Sequence, residues 1–166
     1  MGGSANFNQE EIIDISREKI QELKESCLET NSKSTRICLH NSVEDNLHEM
    51  LIVLPRHLYV RPHRHIGKSE SFHIIEGELD VFIFDNDGNV VRRIQMGDYQ
   101  SKQPFCYRLS SASYHTVLPK TKFAVFHEVT KGPFIRSETI YSPWSPSIHQ
   151  VVEVGKFVER LRNYNP

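Results

Sequence analysis

Two histidines one residue apart, His63 and His65, are followed by Glu70 and then Gly77 in the stretch RPHRHIGKSESFHIIEGELDVFIF. On a β-strand, side chains at i and i+2 share a face, so His63 and His65 can converge on one ion while Arg64 points away. Imidazole nitrogens with a carboxylate oxygen suit a divalent transition metal, and iron, manganese, nickel, cobalt and zinc all accept that set. A further donor is expected from His115, which a turn of small residues brings to the start of a strand. The residues predicted to hold one such ion are therefore His63, His65, Glu70 and His115. The competing reading keeps the same four side chains as structural polar groups in a barrel without metal.

Strand parity carried upstream places Tyr59 and Arg61 on the side of the histidine pair, although Pro62 interrupts the strand. Arg61 then has two readings: an anchor for a substrate carboxylate or phosphate, or a structural ion pair. Tyr59 joins it as a substrate-binding candidate. Downstream of Glu70, Phe72 and Ile74 share its face while Ser71 and His73 take the other, which makes His73 a poor ligand candidate. His127 has the parity of Phe123 and Val125, and that parity is expected to aim it inward. His40, His48, His57, His73 and His149 read as surface or hydrogen-bonded histidines, and Arg56, Arg64 and Lys68 as solvated charges. Glu128 is a candidate proton carrier, with Arg61 the other catalytic candidate.

These residues need short strands to position them. The region from His48 onward alternates runs of apolar residues with turns about every 8–12 residues, the texture of an all-β sandwich or barrel. Asp85-Asn-Asp-Gly88 is a strong hairpin signal before Val90. Asn8 to Glu29 carries apolar residues at helical spacing and is expected to form one amphipathic helix with a break near Asp14 to Ser16. Asn31 to Ser34 reads as a polar loop. Tyr141 to Pro146 is rich in proline and is expected to cross the barrel surface with Trp144 as a packing anchor. Val151 to Leu161 returns to helical spacing. The predicted organisation is a helical extension over 1–34, a barrel over 35–140, and a tail with a short helix over 141–166.

At 166 residues the chain suits one domain with a substantial core. Its net charge is -1 with histidines neutral, and its basic residues are dispersed, so no nucleic-acid partner is expected. Cys27, Cys38 and Cys106 do not form CxxC pairs, which points to reduced thiols rather than a disulfide framework. Neither a leader nor a membrane span is legible, and a cytoplasmic protein is the expectation. Phe82 and Phe84 stand opposite Val81 and Ile83, so their strand should be covered on both faces, either in a homodimer or by the N-terminal segment.

HxH, then Glu70, then Gly77, with a distant histidine after a tight turn, resembles the cupin superfamily. The resemblance implies a double-stranded β-helix, or jelly-roll barrel, flanked here by the N-terminal helix and the short C-terminal helix. His57 takes the place of the motif's leading glycine, and Ser110 and Ala112 stand where proline and glycine are usual in the second motif. RPHRHxGKSESFHxxEG, Tyr114-His-Thr-Val, Glu128-Val-Thr-Lys-Gly-Pro-Phe134 and Pro143-Trp-Ser-Pro146 narrow the likeness to the WbuC family of cupin-fold metalloproteins, found among bacterial surface-polysaccharide genes. That resemblance implies a link to sugar metabolism but no established reaction, and the ligand set leads to the expectation of a metal-dependent enzyme on sugar-derived or other small polar or anionic substrates. Isomerase or epimerase chemistry is the first expectation. An Fe(II) dioxygenase and a non-catalytic, metal-stabilised sugar-binding module stand as alternatives.

Overall fold

The computed structural model describes residues 5–29 and 34–165. Met1 to Ser4 and all of the expected polar loop but Ser34 lie outside the described residues. In chain order the elements are β1 (Ala5–Phe7), α1 (Arg17–Glu29), β2 (Thr35–Cys38), β3 (Leu47–Pro55), β4 (His63–His65), β5 (Glu70–Glu76) and β6 (Glu78–Phe84). They continue with β7 (Val90–Gly97), β8 (Cys106–Leu109), β9 (Tyr114–Pro119), β10 (Phe123–Lys131), β11 (Thr139–Tyr141) and α2 (Val151–Arg162). Two sheets face each other as a jelly-roll barrel, one ordered β1-β2-β3-β10-β5-β8 and the other β11-β4-β9-β6-β7. All neighbours pair antiparallel except β1 with β2.

Alternation along each strand fills the barrel. Leu54 of β3, Phe72 and Ile74 of β5, Leu79, Val81 and Ile83 of β6, Val117 of β9, and Ala124 and Phe126 of β10 form the interior cluster. Full burial of a large apolar side chain contributes about 1.5–3 kcal/mol, so this cluster is the main cohesive term between the sheets. At one end the inward positions turn polar: Phe72 is succeeded by Glu70, Val117 by His115, and Phe126 by Glu128. The apolar plug and the polar layer thus belong to the same strands.

Each sheet also has a covered outer face. Leu23 and Cys27 of α1 pack on Ile37, Leu51, Val53 and Val125. Phe157 and Leu161 of α2 pack with Phe82, Phe84, Tyr114 and Leu118, and Trp144 lies against Phe84 at 4.9 Å between ring centroids. The two-sided coverage expected for β6 is therefore supplied by the C-terminal helix and tail of the same chain. Neither a second copy nor the N-terminal segment is needed for it.

The helix expected to begin at Asn8 begins at Arg17. The Asn8 amide donates to the Cys38 carbonyl at 3.2 Å and prolongs the β1–β2 pairing, and Ile12 is 84% exposed. Ser16 Oγ accepts from the Lys19 amide at 3.3 Å, satisfying a donor in the helix's first turn. Gly77 has φ +81 in the turn between β5 and β6, and a Cβ there would lie 2.4 Å from the Phe123 carbonyl oxygen. Only glycine fits that turn without displacement of backbone. The three cysteines are free thiols, Cys106 exposed and the others buried. No helix among the described residues is long and apolar enough to cross a membrane.

Candidate metal centre

β4 pairs with both β9 and β11, and this pairing sets His63 opposite His115 and Tyr141, with His65 opposite Thr139. The three imidazoles of His63, His65 and His115 offer donor atoms that all lie within 4.8 Å of one another. Each ring has its Nδ1 engaged elsewhere: His63 with the Arg61 carbonyl at 2.9 Å, His65 with Thr139 Oγ1 at 3.2 Å, His115 with the Ser113 carbonyl at 3.0 Å. A carbonyl only accepts, so His63 and His115 carry their proton on Nδ1 and keep the Nε2 lone pair free. Such outer hydrogen bonds fix the ring orientation of metal-ligating histidines.

Glu70 opens β5 and reaches two of the three rings. Its Oε1 lies 2.9 Å from His115 Nε2 and its Oε2 lies 3.5 Å from His65 Nε2. Glu70 is 4% exposed and His115 2%. Despite their proximity, Glu70 Oε1 and His115 Nε2 have no well-directed hydrogen bond. Two buried polar atoms left in this way carry a desolvation cost that a cation between them would remove. Burial alone would raise the Glu70 carboxyl, but His115 and His65 outweigh it and hold the carboxyl well below its ordinary range. Burial, aided by His115 and His65, pushes His63 down to about 3, which leaves it a neutral imidazole. Burial disfavours charge on His115 as well, yet the Glu70 carboxylate raises it above the ordinary histidine value. The three imidazoles, with Glu70 against two of them, therefore fit a divalent ion in number and chemistry.

Glu128 faces Phe72 across β5 and shares the inward face of β10 with Phe126. Burial, reinforced by the Glu70 charge, pushes its carboxyl up to about 8, against the opposing pull of Arg36 and His115. Tyr107 lies on the other side of Phe72, 8% exposed, with a hydroxyl that has no partner. Burial, Glu70 and Glu128 together raise that hydroxyl above its usual range.

Tyr59 and Arg61 do not extend the face of β4. Residues 58–62 are not strand, and Pro62, which has no amide hydrogen to donate, breaks the alternation. Tyr59 packs edge-on against Phe157 of α2 and donates to the Pro146 carbonyl at 3.0 Å. Arg61 is turned to the tail: Nε donates to Ser145 Oγ at 3.2 Å, and Nη2 donates to the carbonyls of Ser142 and Ser145 at 3.0 and 3.3 Å. What Arg61 contributes to the histidines is its backbone carbonyl.

His127 keeps the predicted parity with Val125, but that face is the outer one. Val125 packs beneath α1, and His127 Nε2 lies 3.6 Å from Glu49. His73 also faces outward, against Phe105. Arg64 points away from the rings, 4.7 Å from the centre of Tyr114. Lys68, expected to be solvated, is instead tied to the Pro133 carbonyl and to Glu138 at 3.2 Å. It clips the loop after the histidines to the segment before β11. Thr139 escaped the sequence reading because it does not belong to the motif that carries the ligands.

Among solved structures, a protein from Shewanella oneidensis aligns over 74% of this chain and 77% of its own, with a TM-score of 0.51 at 9% identity. A point mutant of oxalate decarboxylase from Bacillus subtilis aligns over 80% of this chain, with a TM-score of 0.50 at 18% identity. A cupin superfamily protein from Desulfitobacterium hafniense aligns over 60% of this chain and 77% of its own at 14% identity, with a TM-score of 0.47. The fold is that of the cupins. This chain spans only 34% of the oxalate decarboxylase, and at such identities the likeness shows the fold alone. A family model described as "Domain of unknown function (DUF6016)" matches residues 15–96, a span that contains His63, His65, Glu70 and Gly77 but ends before His115. No curated protein matches the sequence.

Proposed function

We propose that this cupin is a metal-dependent enzyme that moves a proton on a small, sugar-derived substrate, in the manner of an isomerase or epimerase. The observation that carries the metal is the convergence of three imidazoles whose Nδ1 atoms are all engaged, with Glu70 against two of them. His63, His65, His115 and Glu70 would hold the ion. When bound, it supplies Lewis-acid polarisation of a substrate carbonyl or hydroxyl oxygen.

The chain's own residues supply the remainder. Phe72 and Phe126 close the floor beneath the polar layer and keep bulk water from below. Tyr107 presents an unpartnered hydroxyl that can donate to a substrate oxygen. Glu128, displaced toward neutral pH, is suited to take a proton from a carbon beside a carbonyl and return it to the neighbouring one. The resemblance to WbuC proteins supports a sugar-derived substrate.

Elemental analysis of protein purified without added metal tests the first half of this reading, and an ion-free preparation that refuses reloading refutes it. Solvent deuterium entering a panel of oxo-sugars and oxo-acids tests the second half. Exchange should vanish in Glu128→Gln at full metal occupancy. Oxygen uptake after iron restoration, without exchange, would assign an oxygenase instead.

A further inference from the structure

Two histidines that the metal centre does not use lie face to face at the same end of the barrel. His48 has the inward parity of Ile52 and Leu54 on β3 and stands opposite Thr130 of β10, on the rung that continues to Glu70. His40, two residues beyond β2, stacks on it with ring centroids 4.1 Å apart and planes 11° from parallel. Both are buried, and the Phe7 ring of β1 meets His40 edge-on at 5.5 Å. The surroundings demand neutral rings. The Glu49 amide donates to His40 Nδ1 at 3.2 Å, so the ring's lone pair is the acceptor that ends the β2–β3 ladder. The Glu49 carbonyl, 3.0 Å from the same nitrogen, already accepts from the Leu39 amide at 2.8 Å. A proton on His40 Nδ1 therefore leaves the Glu49 amide facing another donor. His48 Nε2 is buried without a hydrogen-bond partner, and a second proton on that ring meets no acceptor.

The charged groups around the pair reinforce this demand. Burial, with His40 beside it and Lys68 adding to both, holds His48 below the ordinary histidine value of 6.5, against the Val43 backbone and Asp45. The Asn41 and Ser42 amides donate to Asp45 at 2.7 and 3.3 Å and keep its carboxyl below the ordinary range, so its charge persists in mild acid. Glu49 turns its carboxylate to His127, and Glu70 lies two strands from His48, beyond Thr130. What the pair supports is the rim. The His48 ring lies against Gly132, where a Cβ would come within 2.8 Å of its Cδ2. The loop between β2 and β3 grips the same segment: the Asn46 carbonyl accepts from the Gly132 amide at 2.9 Å, and the Val43 carbonyl from the Phe134 amide at 2.8 Å. That segment runs on through Glu138, paired with Lys68, to Thr139 on His65.

We infer that the stacked pair is an acid-sensitive latch on the rim of the barrel's metal end. Protonation of either ring unseats the 41–46 loop from Gly132 and Phe134, and the rim opens. A charge on His48 finds no acceptor, a charge on His40 displaces a ladder bond, and separation of the rings gives water to both. The folded chain disfavours the charged form of His48, so the latch is complete above pH 6.5 and is lost as pH falls below it. It is built from the pair and the loop alone, and it holds whether or not an ion occupies the centre.

The test follows the Gly132 and Phe134 amides of the full-length protein by NMR hydrogen exchange, beside the ring protons of His40 and His48. Between pH 7 and 5 the protection factors of both amides should fall about ten-fold or more, with the midpoint of the His48 ring titration. The Val81 amide, in a strand paired on both sides, should keep its protection. His40→Asn combined with His48→Phe leaves an acceptor for the Glu49 amide and a flat ring on Gly132 but nothing to titrate. In that variant the two protection factors should change less than about two-fold over the same range. The metal centre is the same in both proteins, so its own protonation cancels in the comparison. Protection that is flat in the wild type, or that falls as steeply in the double variant, overturns the latch. Should the double variant fail to fold, the wild type decides alone: coincident midpoints support the latch, and midpoints more than about one pH unit apart overturn it.

Discussion

Glu70 Oε1 and His115 Nε2 face each other at 2.9 Å, both buried, and no directed hydrogen bond joins them. In a metal-free protein this is a carboxylate beside an imidazole with a raised affinity for a proton. A cation between them takes over the role of that proton. Uptake of metal should therefore release protons, and calorimetry in buffers of different ionisation enthalpy should register the release. At a free-metal concentration 100 times Kd the folded state gains about 2.7 kcal/mol. For a chain of this size that corresponds to a rise in Tm of roughly 5–10 °C. In His115→Ala the rise should disappear. An equal rise in wild type and variant would place the ion elsewhere.

Thr139 holds His65 from β11, an element far from the motif in sequence. Replacement by valine keeps the shape and removes the hydroxyl, so His65 loses the partner on its Nδ1. Outer partners of this kind typically account for 10–100-fold in metal affinity. Competition with a chromophoric chelator should show a loss in about that range for Thr139→Val, with Tm of the metal-free protein little changed. Unchanged affinity would mean that the ring is oriented by packing alone.

Glu128 supplies a pH dependence whose sign can be worked out. Its folded value is displaced up to about 8, from an ordinary value of 4.5. Between those limits the folded chain holds a proton that the unfolded chain has lost, so stability falls as pH rises. The contribution is complete below pH 4.5 and gone above about 8. Each unit of displacement corresponds to about 1.4 kcal/mol, and solvent reaching a side chain that is not wholly enclosed reduces it. Glu128→Gln should remove this slope. In metal-free protein the variant should gain on the wild type steadily from pH 5 to 8 in urea titrations, and parallel curves would remove Glu128 from the buried layer.

The histidine pair, Glu70 and Gly77 were readable because a strand's period of two and a glycine-demanding turn are local properties. His115 was readable from the small residues ahead of it. Parity failed at Tyr59 and Arg61, where Pro62 ends the strand and the tail captures both side chains. For His127 parity held but its sign did not, since nothing local says which face of β10 lies beneath α1. Which residues of β2 face the barrel was invisible for a similar reason. A four-residue strand has an inward face only through its register with β3, and that register is a tertiary fact. The cover over Phe82 and Phe84 came from α2, whose helical spacing was legible while its destination was not.

Gly77→Ala should test the turn that begins β6. The substitution places a methyl group 2.4 Å from the Phe123 carbonyl oxygen and holds a non-glycine residue at φ +81. The left-handed backbone alone costs about 1–2 kcal/mol, and the clash with backbone adds to it. A total loss of about 2–4 kcal/mol is expected by urea denaturation. A loss under 1 kcal/mol would show that the β5–β6 turn moves freely away from β10.

Arg61→Met tests the clasp between the residues before β4 and the tail. Arg61 donates three hydrogen bonds to Ser142 and Ser145, and its guanidinium lies 5.1 Å from the centre of the Tyr141 ring. Hydrogen bonds from a charged donor contribute about 1.5–3 kcal/mol, and loss of the donor also leaves the tail carbonyls without their partner. The variant should lose about 2–3 kcal/mol of stability. Trp144 should become more accessible to acrylamide quenching of its fluorescence, since the segment that carries it loses its clasp. Metal stoichiometry should stay at the wild-type value, because Arg61 meets the histidines only through its backbone carbonyl. Unchanged stability and unchanged quenching would show that the tail is held by the packing of Trp144 on Phe84 and not by Arg61.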